Sequence, residues 1–426
     1  MAQMERKRDH DRRILLLVFL LVSLNFGSLL PTKEPVFRKH PRHPERGGHL
    51  CVSRRHVTVL SSIQNVRAYG KDGTGPHKNR ARASQKMKLQ RAIDRYVGAA
   101  LILLLWPLKL FSRKIQNKEA VFIKLWAIGE SVLTLPALKA LHDRGWNVTV
   151  LCTKRNASVY QQPFIKKVLL MERFLTIERK FQKFDVAIDG EPYLNLSALF
   201  TRWMGKHCIG FAHGSRARLY NERVPYKDMQ HVVRTYGDLM KPLQVELQAQ
   251  TLIPLPGAKR KKLKVIGLAP GVAESGKSRV WPAAKWAVLA DTLIKQGNKV
   301  CFVGNQADVA SVQRIQKLMK EKAQSMAGKT SLTEFFSWVT QCKAFVGCDS
   351  GTMHVAAAQG VPTIGLFGPN TPVRFAPYGP ANGSVYKPRY KKPCINVHLG
   401  QIDCDHQDHM TNIQPADVLT ALRRIA

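Results

Sequence analysis

The stretch Ala344 to Pro380, AFVGCDSGTMHVAAAQGVPTIGLFGPNTPVRFAPYGP, decides the fold. Ala344 to Cys348 is an apolar run of strand length. Asp349, Ser350 and Gly351 carry turn chemistry, with a carboxylate and a hydroxyl suited to capping a helix. Thr352 to Gln359 favours helix, and Gly360 followed by Pro362 ends it. Thr363 to Phe367 reads as the next strand. Strand, turn, helix, strand is half of a nucleotide-binding βαβ unit. The helix then begins at the carboxyl end of a strand, where its first N–H groups point outward and favour an anion such as a diphosphate.

The same alternation extends in both directions. Ala120 to Leu125 reads as a strand, Ala127 to Ser131 as a turn, and a helix follows that ends at Gly145. Asn147 to Cys152 and Phe184 to Asp189 are further strands. Residues 246–262 read as a linker with a basic end, and Leu263 to Ala269 opens a second series. There Trp281 to Gln296 is helix, Lys299 to Val303 strand, and Asp308 to Lys322 and Ser331 to Cys342 helices. Pro415 to Ile425 is a final helix. Strands alternating with helices predict an α/β fold with parallel sheets covered on both faces. The expected organisation is two similar α/β domains, 119–245 and 263–426, facing a cleft.

Composition bounds the partners. The chain has 426 residues, 45% apolar content and a formal net charge of +38. Such a balance points to a polyanion: nucleic acid, an acidic membrane surface or an anionic glycolipid. The plain alternative is a solvated basic surface. Eight scattered cysteines with no CxxC pair suit thiols in a reducing compartment. Residues 1–86 are basic and rich in Pro, Gly, His and Arg, and read as a disordered extension. Within them the apolar stretch 14–30 has the shape of a signal peptide or marginal anchor. Residues 87–118 place the apolar run Val97 to Leu108 between basic flanks. That run suits either a membrane-interface helix or a packing helix.

Gly271 to Ser278, GVAESGKS, matches the P-loop pattern and follows a strand. A P-loop NTPase is therefore the alternative reading. However, its lysine and serine must lead directly into a helix, and Pro282 obstructs one spanning Lys277 to Trp286. A helix opening at Pro282 fits better. The loop still offers backbone N–H groups with Lys277 or Arg279 to a phosphate. Cys394, Cys404, His406 and His409 invite a zinc reading, but the ten-residue spacing and absent CxxC argue against it, and no metal is expected.

In combination, PG…K.R.WP (Pro270 to Pro282), D[ST]G..H (Asp349 to His354), GVPTIGLFGP and IKLWAIGESVLTLPALKAL (Ile123 to Leu141) resemble the lipopolysaccharide heptosyltransferases of glycosyltransferase family nine. The resemblance covers about residues 119 to 426. It implies the GT-B fold, two Rossmann-like domains facing a central cleft, and an inverting glycosyltransferase. The implied donor is a nucleotide-diphosphate sugar, ADP-heptose in this family, and the implied acceptor an anionic glycolipid, the lipopolysaccharide core. The family's acidic base in the first loop corresponds to Glu130, where its best-known members have Asp. Asp349, Ser350, Gly351 and Thr352 correspond to the loop that holds the diphosphate, with His354 in the first helical turn. Arg279 stands where the family often has a phosphate-contacting lysine, and Asp308 where it often has a ribose contact. His409 stands where related sequences often have a cysteine. No cofactor and no nucleic-acid partner are implied. Since nucleotide sugars are cytosolic, the expected location is the cytoplasmic face of the inner membrane, with a functional chain that starts at Met87.

Overall fold

Among the described residues, twelve strands form two six-stranded sheets in which every pairing is parallel. The computed structural model describes residues 92, 94–103, 116–174, 184–257, 259, 260, 263, 265–390, 393–396, 399, 401, 404, 406 and 408–425. The expectations for residues 1–86, including the stretch 14–30, and for 104–115 lie outside them.

The first sheet holds β1 (Glu119–Ile123), β2 (Asn147–Cys152), β3 (Ile165–Leu170), β4 (Phe184–Asp189), β5 (Gly205–Phe211) and β6 (Glu222–Val224), in the order β3-β2-β1-β4-β5-β6. The second holds β7 (Val265–Ala269), β8 (Lys299–Phe302), β9 (Gln324–Ser325), β10 (Cys342–Cys348), β11 (Thr363–Phe367) and β12 (Gly383–Tyr386), in the order β12-β11-β10-β7-β8-β9. Counted from its own first strand, each sheet has the order 3-2-1-4-5-6 of the doubly wound dinucleotide-binding fold. The order reverses between β1 and β4 and again between β7 and β10. At such points loops leave neighbouring strands in opposite directions and open a crevice beyond the carboxyl ends.

The central strands are apolar because helices cover both faces of each sheet. The segment VIGLA of β7 is buried throughout, and EAVFI of β1 is buried after its first residue. Helix α1 (residues 94–103) buries Leu101 and Ile102 in one apolar cluster with Val121 and Ile123 of β1, and leaves Tyr96, Val97 and Leu103 exposed. Its Asp94 carboxylate accepts from the Asn195 and Leu196 N–H groups and so caps the helix Asn195–Met204. No helix among the described residues is long and apolar enough to cross a membrane.

One apolar cluster runs through both halves. It joins Phe122, Leu135 and Leu138 to Phe336, Phe345 and Val355. Polar ties reinforce this junction. Arg374 pairs with Asp228 at 3.2 Å, His231 Nε2 bonds the Ala376 carbonyl at 2.8 Å, and Tyr378 OH donates to the Ala249 carbonyl.

Some helices are shorter than the sequence predicts. The helix expected over Ser331 to Cys342 is Leu332–Val339, because Cys342 opens β10 and pairs with Val265. Ser331 starts it with a reciprocal capping box to Glu334. The helix expected over Asp308 to Lys322 is Val309–Leu318, preceded by a short turn in which Asn305 and Asp308 cap each other. Cys152, Cys208, Cys301, Cys342 and Cys348 are buried. Burial pushes the thiols of Cys152, Cys342 and Cys348 up to about 12, so they stay neutral and unreactive.

Candidate active site

Loops after β1, β4, β7 and β10 meet at the two switch points and bound a cavity of about 440 Å3. Glu130, Arg279, Asp308, Asp349, Ser350, Gly351, Thr352 and His354 all line it. Eight of the nine residues singled out from the sequence thus converge on one cleft from both halves. Lys277 does not line it and is exposed.

The first wall is built around Glu130, in the opening turn of α2 (Ile128–Asp143). Its Oε2 accepts from Lys124 Nζ at 2.7 Å and from Tyr236 OH at 2.8 Å. Lys124 also donates to Glu191 Oε2 at 3.1 Å, and both Lys124 and Glu191 are 1% exposed. Glu191 Oε1 accepts from the Leu125 and Trp126 N–H groups, at 2.6 and 2.8 Å. Burial alone would push the Lys124 ammonium down, but the flanking carboxylates of Glu130 and Glu191 more than offset this and raise it. Burial raises Glu191, and the Lys124 charge opposes that. The ammonium is thus held charged between two carboxylates, one closed off and one facing the cavity. Ala127 has φ 63°, a conformation that costs a non-glycine residue of order 1–3 kcal/mol. It sits just after the Leu125 and Trp126 amides that Glu191 clamps, and its turn carries Glu130 into the cleft.

The facing wall is the start of α8 (Gly351–Ala358). The sequence suggested that Asp349 or Ser350 caps this helix. Instead Ser350 makes no side-chain cap, and its hydroxyl lies 2.9 Å from that of Thr352. The Asp349 carboxylate turns away to accept from Asn370 Nδ2 at 2.9 Å and to meet Arg279 Nη1 at 3.5 Å. Arg279 Nη1 also donates to the Asp349 carbonyl at 3.1 Å. The N-terminal amides of α8 therefore open into the cavity beside a guanidinium, an arrangement complementary to a diphosphate. Asp308 packs its side chain against Gly271 and Gly304: a Cβ on Gly271 would come within 2.4 Å of the carboxylate, and one on Gly304 within 2.6 Å of Asp308 Cβ. Burial raises its pKa.

The two helix starts touch. A Cβ on Gly129 would lie 2.8 Å from His354 Cδ2 and 3.1 Å from Gly351 Cα. His354 is buried, and that burial, with His231 nearby, depresses it to about 3, so the ring is neutral.

The P-loop reading fails on geometry. Glu274–Arg279 is a short 3-10 turn with Gly276 out of helical conformation, and the α-helix begins at Ala283 after Pro282. A P-loop needs its lysine and serine to open the helix. Here Ser278 is buried, and Lys277 is exposed and does not line the cavity. Trp281 of the same motif is structural. Its indole donates to the Ile413 carbonyl and packs edge-on against Trp286, ring centroids 4.9 Å apart.

Sequence reading missed Lys124, Glu191, Tyr236 and Asn370. Lys124 lies inside the quoted IKLWAIGE segment, where a lysine ending an apolar strand was a usable signal. Tyr236 and Glu191 carry none, since their roles arise only when distant loops meet. The distant Cys394, Cys404 and His409 are also brought together: both sulfurs lie at 3.1–3.2 Å from His409 Nε2.

Comparison with known proteins agrees with this geometry. The family described as glycosyltransferase family 9 (heptosyltransferase) matches residues 178–399. Lipooligosaccharide heptosyltransferase 2 of Haemophilus influenzae is 39% identical over 165 residues, which are 38% of this chain and 47% of that protein. The chain thus spans about half the length of that relative. The Campylobacter jejuni serotype O:2 protein of the same name is 22% identical over 72% of this chain and 98% of its own. The solved structure of E. coli ADP-heptose lps heptosyltransferase II superposes with a TM-score of 0.58 at 21% identity, over 72% of this chain and 98% of that one. Two Rossmann-like domains around one cleft, a GT-B fold, and a family match over more than half of the residues lead to one statement: the chain belongs to glycosyltransferase family 9.

Proposed function

We propose that the protein is an inverting glycosyltransferase that moves a heptose from ADP-heptose to a lipopolysaccharide core acceptor. One observation carries this reading: the Glu130 carboxylate shares a cavity with the open amides of α8 and the Arg279 guanidinium. A base and a diphosphate grip on opposite walls are what a single displacement at an anomeric carbon requires. The family relatives named above supply the sugar and the acceptor.

In the proposed reaction, Glu130 accepts the proton of an acceptor hydroxyl as that oxygen bonds to the anomeric carbon. The bond from that carbon to the diphosphate breaks on the opposite face, which inverts the centre. ADP departs with the electron pair, stabilised by the α8 amides and Arg279. In this reading Asp308, which lines the cavity, accepts from a ribose hydroxyl. Lys124 and Tyr236 hold the Glu130 carboxyl group aimed. Supporting a peripheral site at the cytoplasmic face of the inner membrane are the +38 charge and the exposed Tyr96, Val97 and Leu103 of α1. No nucleic-acid partner is proposed.

The test is ADP release from ADP-heptose in the presence of a heptose-deficient core acceptor, with a thermal-shift screen of other nucleotide sugars beside it. A donor at a hundred times its Kd should stabilise the folded protein by about 2.7 kcal/mol. Turnover of the donor with stereochemical retention, or stabilisation by no nucleotide sugar at all, would overturn the reading.

A further inference from the structure

Resting on the glycosyl-transfer reading above, we propose that Arg155 binds an oxyanion of the acceptor, a carboxylate or a phosphate, and so sets which acceptor hydroxyl reaches Glu130. Among the described residues that line the cavity, Arg155 and Arg279 are the two that carry a fixed positive charge. Arg279 is committed to the anion grip, where it meets Asp349. Arg155 belongs to the other half, the one that carries Glu130. It is exposed, and among the described residues no hydrogen bond or ion pair engages its guanidinium. The carboxylates lining the same cavity are already occupied. Asp94 accepts from two backbone amides, Asp308 from the Asn305 amide, Asp349 from Asn370, and Glu130 from Lys124 and Tyr236. A planar guanidinium with five donors and no partner matches a carboxylate or a phosphate, which it can hold through two parallel bonds.

The backbone under Arg155 is mounted more firmly than a solvated surface arginine requires. Its turn, just after β2, is bonded to the chain on both sides of Glu130. Asn156 is 1% exposed. Its Nδ2 donates to the Lys124 carbonyl at 3.0 Å and to Ser131 Oγ at 2.8 Å. Its Oδ1 accepts from the Thr153 N–H at 3.0 Å. The Thr153 hydroxyl lies 3.2 Å from the Leu125 carbonyl, and the Lys154 N–H donates to the Glu172 carboxylate at 2.9 Å. Residues 153, 154 and 156 are thus each pinned, and Arg155 between them keeps a fixed spacing from the Glu130 turn. A base and a cation at fixed spacing act as a ruler. With the acceptor's anionic group on Arg155, only a hydroxyl at one distance from that group meets Glu130.

The experiment compares Arg155→Gln with the parent protein on four core acceptors: native, dephosphorylated, carboxyl-reduced, and both. Arg155→Gln should raise the KM for the native acceptor about tenfold and leave the KM for the doubly neutralised acceptor unchanged. The two singly treated acceptors identify the oxyanion: removing the bound one abolishes the difference between variant and parent. Arg155→Lys should recover part of the loss, because the charge remains and the paired geometry does not. ADP affinity and melting temperature should hold, since the side chain is exposed and the anion grip stands on the other half. Products of Arg155→Gln, mapped by NMR, should spread over more than one hydroxyl. An unchanged KM for the native acceptor in Arg155→Gln would overturn the assignment and leave the transfer reading intact. So would an equal loss on native and neutralised acceptors, which marks a role in shape rather than in charge. A single linkage kept at the parent's position would overturn the ruler role. Absence of transfer by the parent protein to any core acceptor would overturn the transfer reading, and this assignment with it.

Discussion

As the proposed base, Glu130 depends on three neighbours. Lys124 and Tyr236 both bond Oε2, which fixes the carboxyl group through one of its oxygens. Lys124 is in turn shared with Glu191. Replacing Glu130 by Gln keeps the shape and removes the proton acceptor. We expect kcat to fall about 10²–10⁴-fold with donor Kd nearly unchanged, measured by steady-state kinetics and calorimetry. An equal loss in donor affinity would show that Glu130 binds rather than reacts. The turn that carries Glu130 begins at Ala127, whose φ is 63°. The place of Glu130 at the cavity was legible through the resemblance carried by the Ile123 to Leu141 segment. Lys277 was misread because a local pattern matched, and the deciding feature was the direction taken by the chain at Gly276 and Pro282.

At the scale of elements, the two helices that open at Ile128 and Gly351 meet start to start, and glycine permits it. Gly129→Ala would set a methyl 2.8 Å from His354 Cδ2 and 3.1 Å from Gly351 Cα. Overpacking of this kind typically costs about 1–3 kcal/mol, read as a lower melting temperature. It should also weaken nucleotide binding, since the α8 amides would shift away from Arg279. An unchanged melting temperature would show that the contact opens freely in solution. The strands and helices around these starts were legible because apolar runs end at glycine, proline and polar turns. Helix ends were less so. Nothing in the sequence around Cys342 reveals that it belongs to a strand until Val265 pairs with it. The open start of α8 was also beyond reach, since Asp349 looked like a cap and its true partners, Asn370 and Arg279, lie elsewhere in the chain.

For the whole molecule, the junction between the halves contains two neutral histidines. Burial depresses His231 to about 4 and His354 to about 3, from an ordinary 6.5. Each is protonated in the unfolded chain at a pH where the folded protein keeps it neutral. Between pH 6.5 and these lower values the unfolded state therefore binds more protons, and stability falls as pH falls. Each ring contributes up to about 1.4 kcal/mol per pH unit in that window. Melting temperature should drop between pH 6.5 and pH 4, and His354→Asn should flatten the decline. A flat profile in the parent protein would contradict the burial of these rings.

Because the proposed base and the proposed anion grip stand on separate sheets, the proposed reacting distance is governed by the angle between two bodies. A molecule gripping both walls favours one angle, and so does a second molecule that fits only when the first is in place. Such sites are energetically coupled, and the coupling is reciprocal: whatever factor a donor analogue adds to acceptor affinity, the acceptor must add to the analogue's. Calorimetry of each in the presence of the other should give equal factors above one. Equal factors of one would mean that the halves are locked, and that the cleft works as a rigid mould rather than as a pair of jaws.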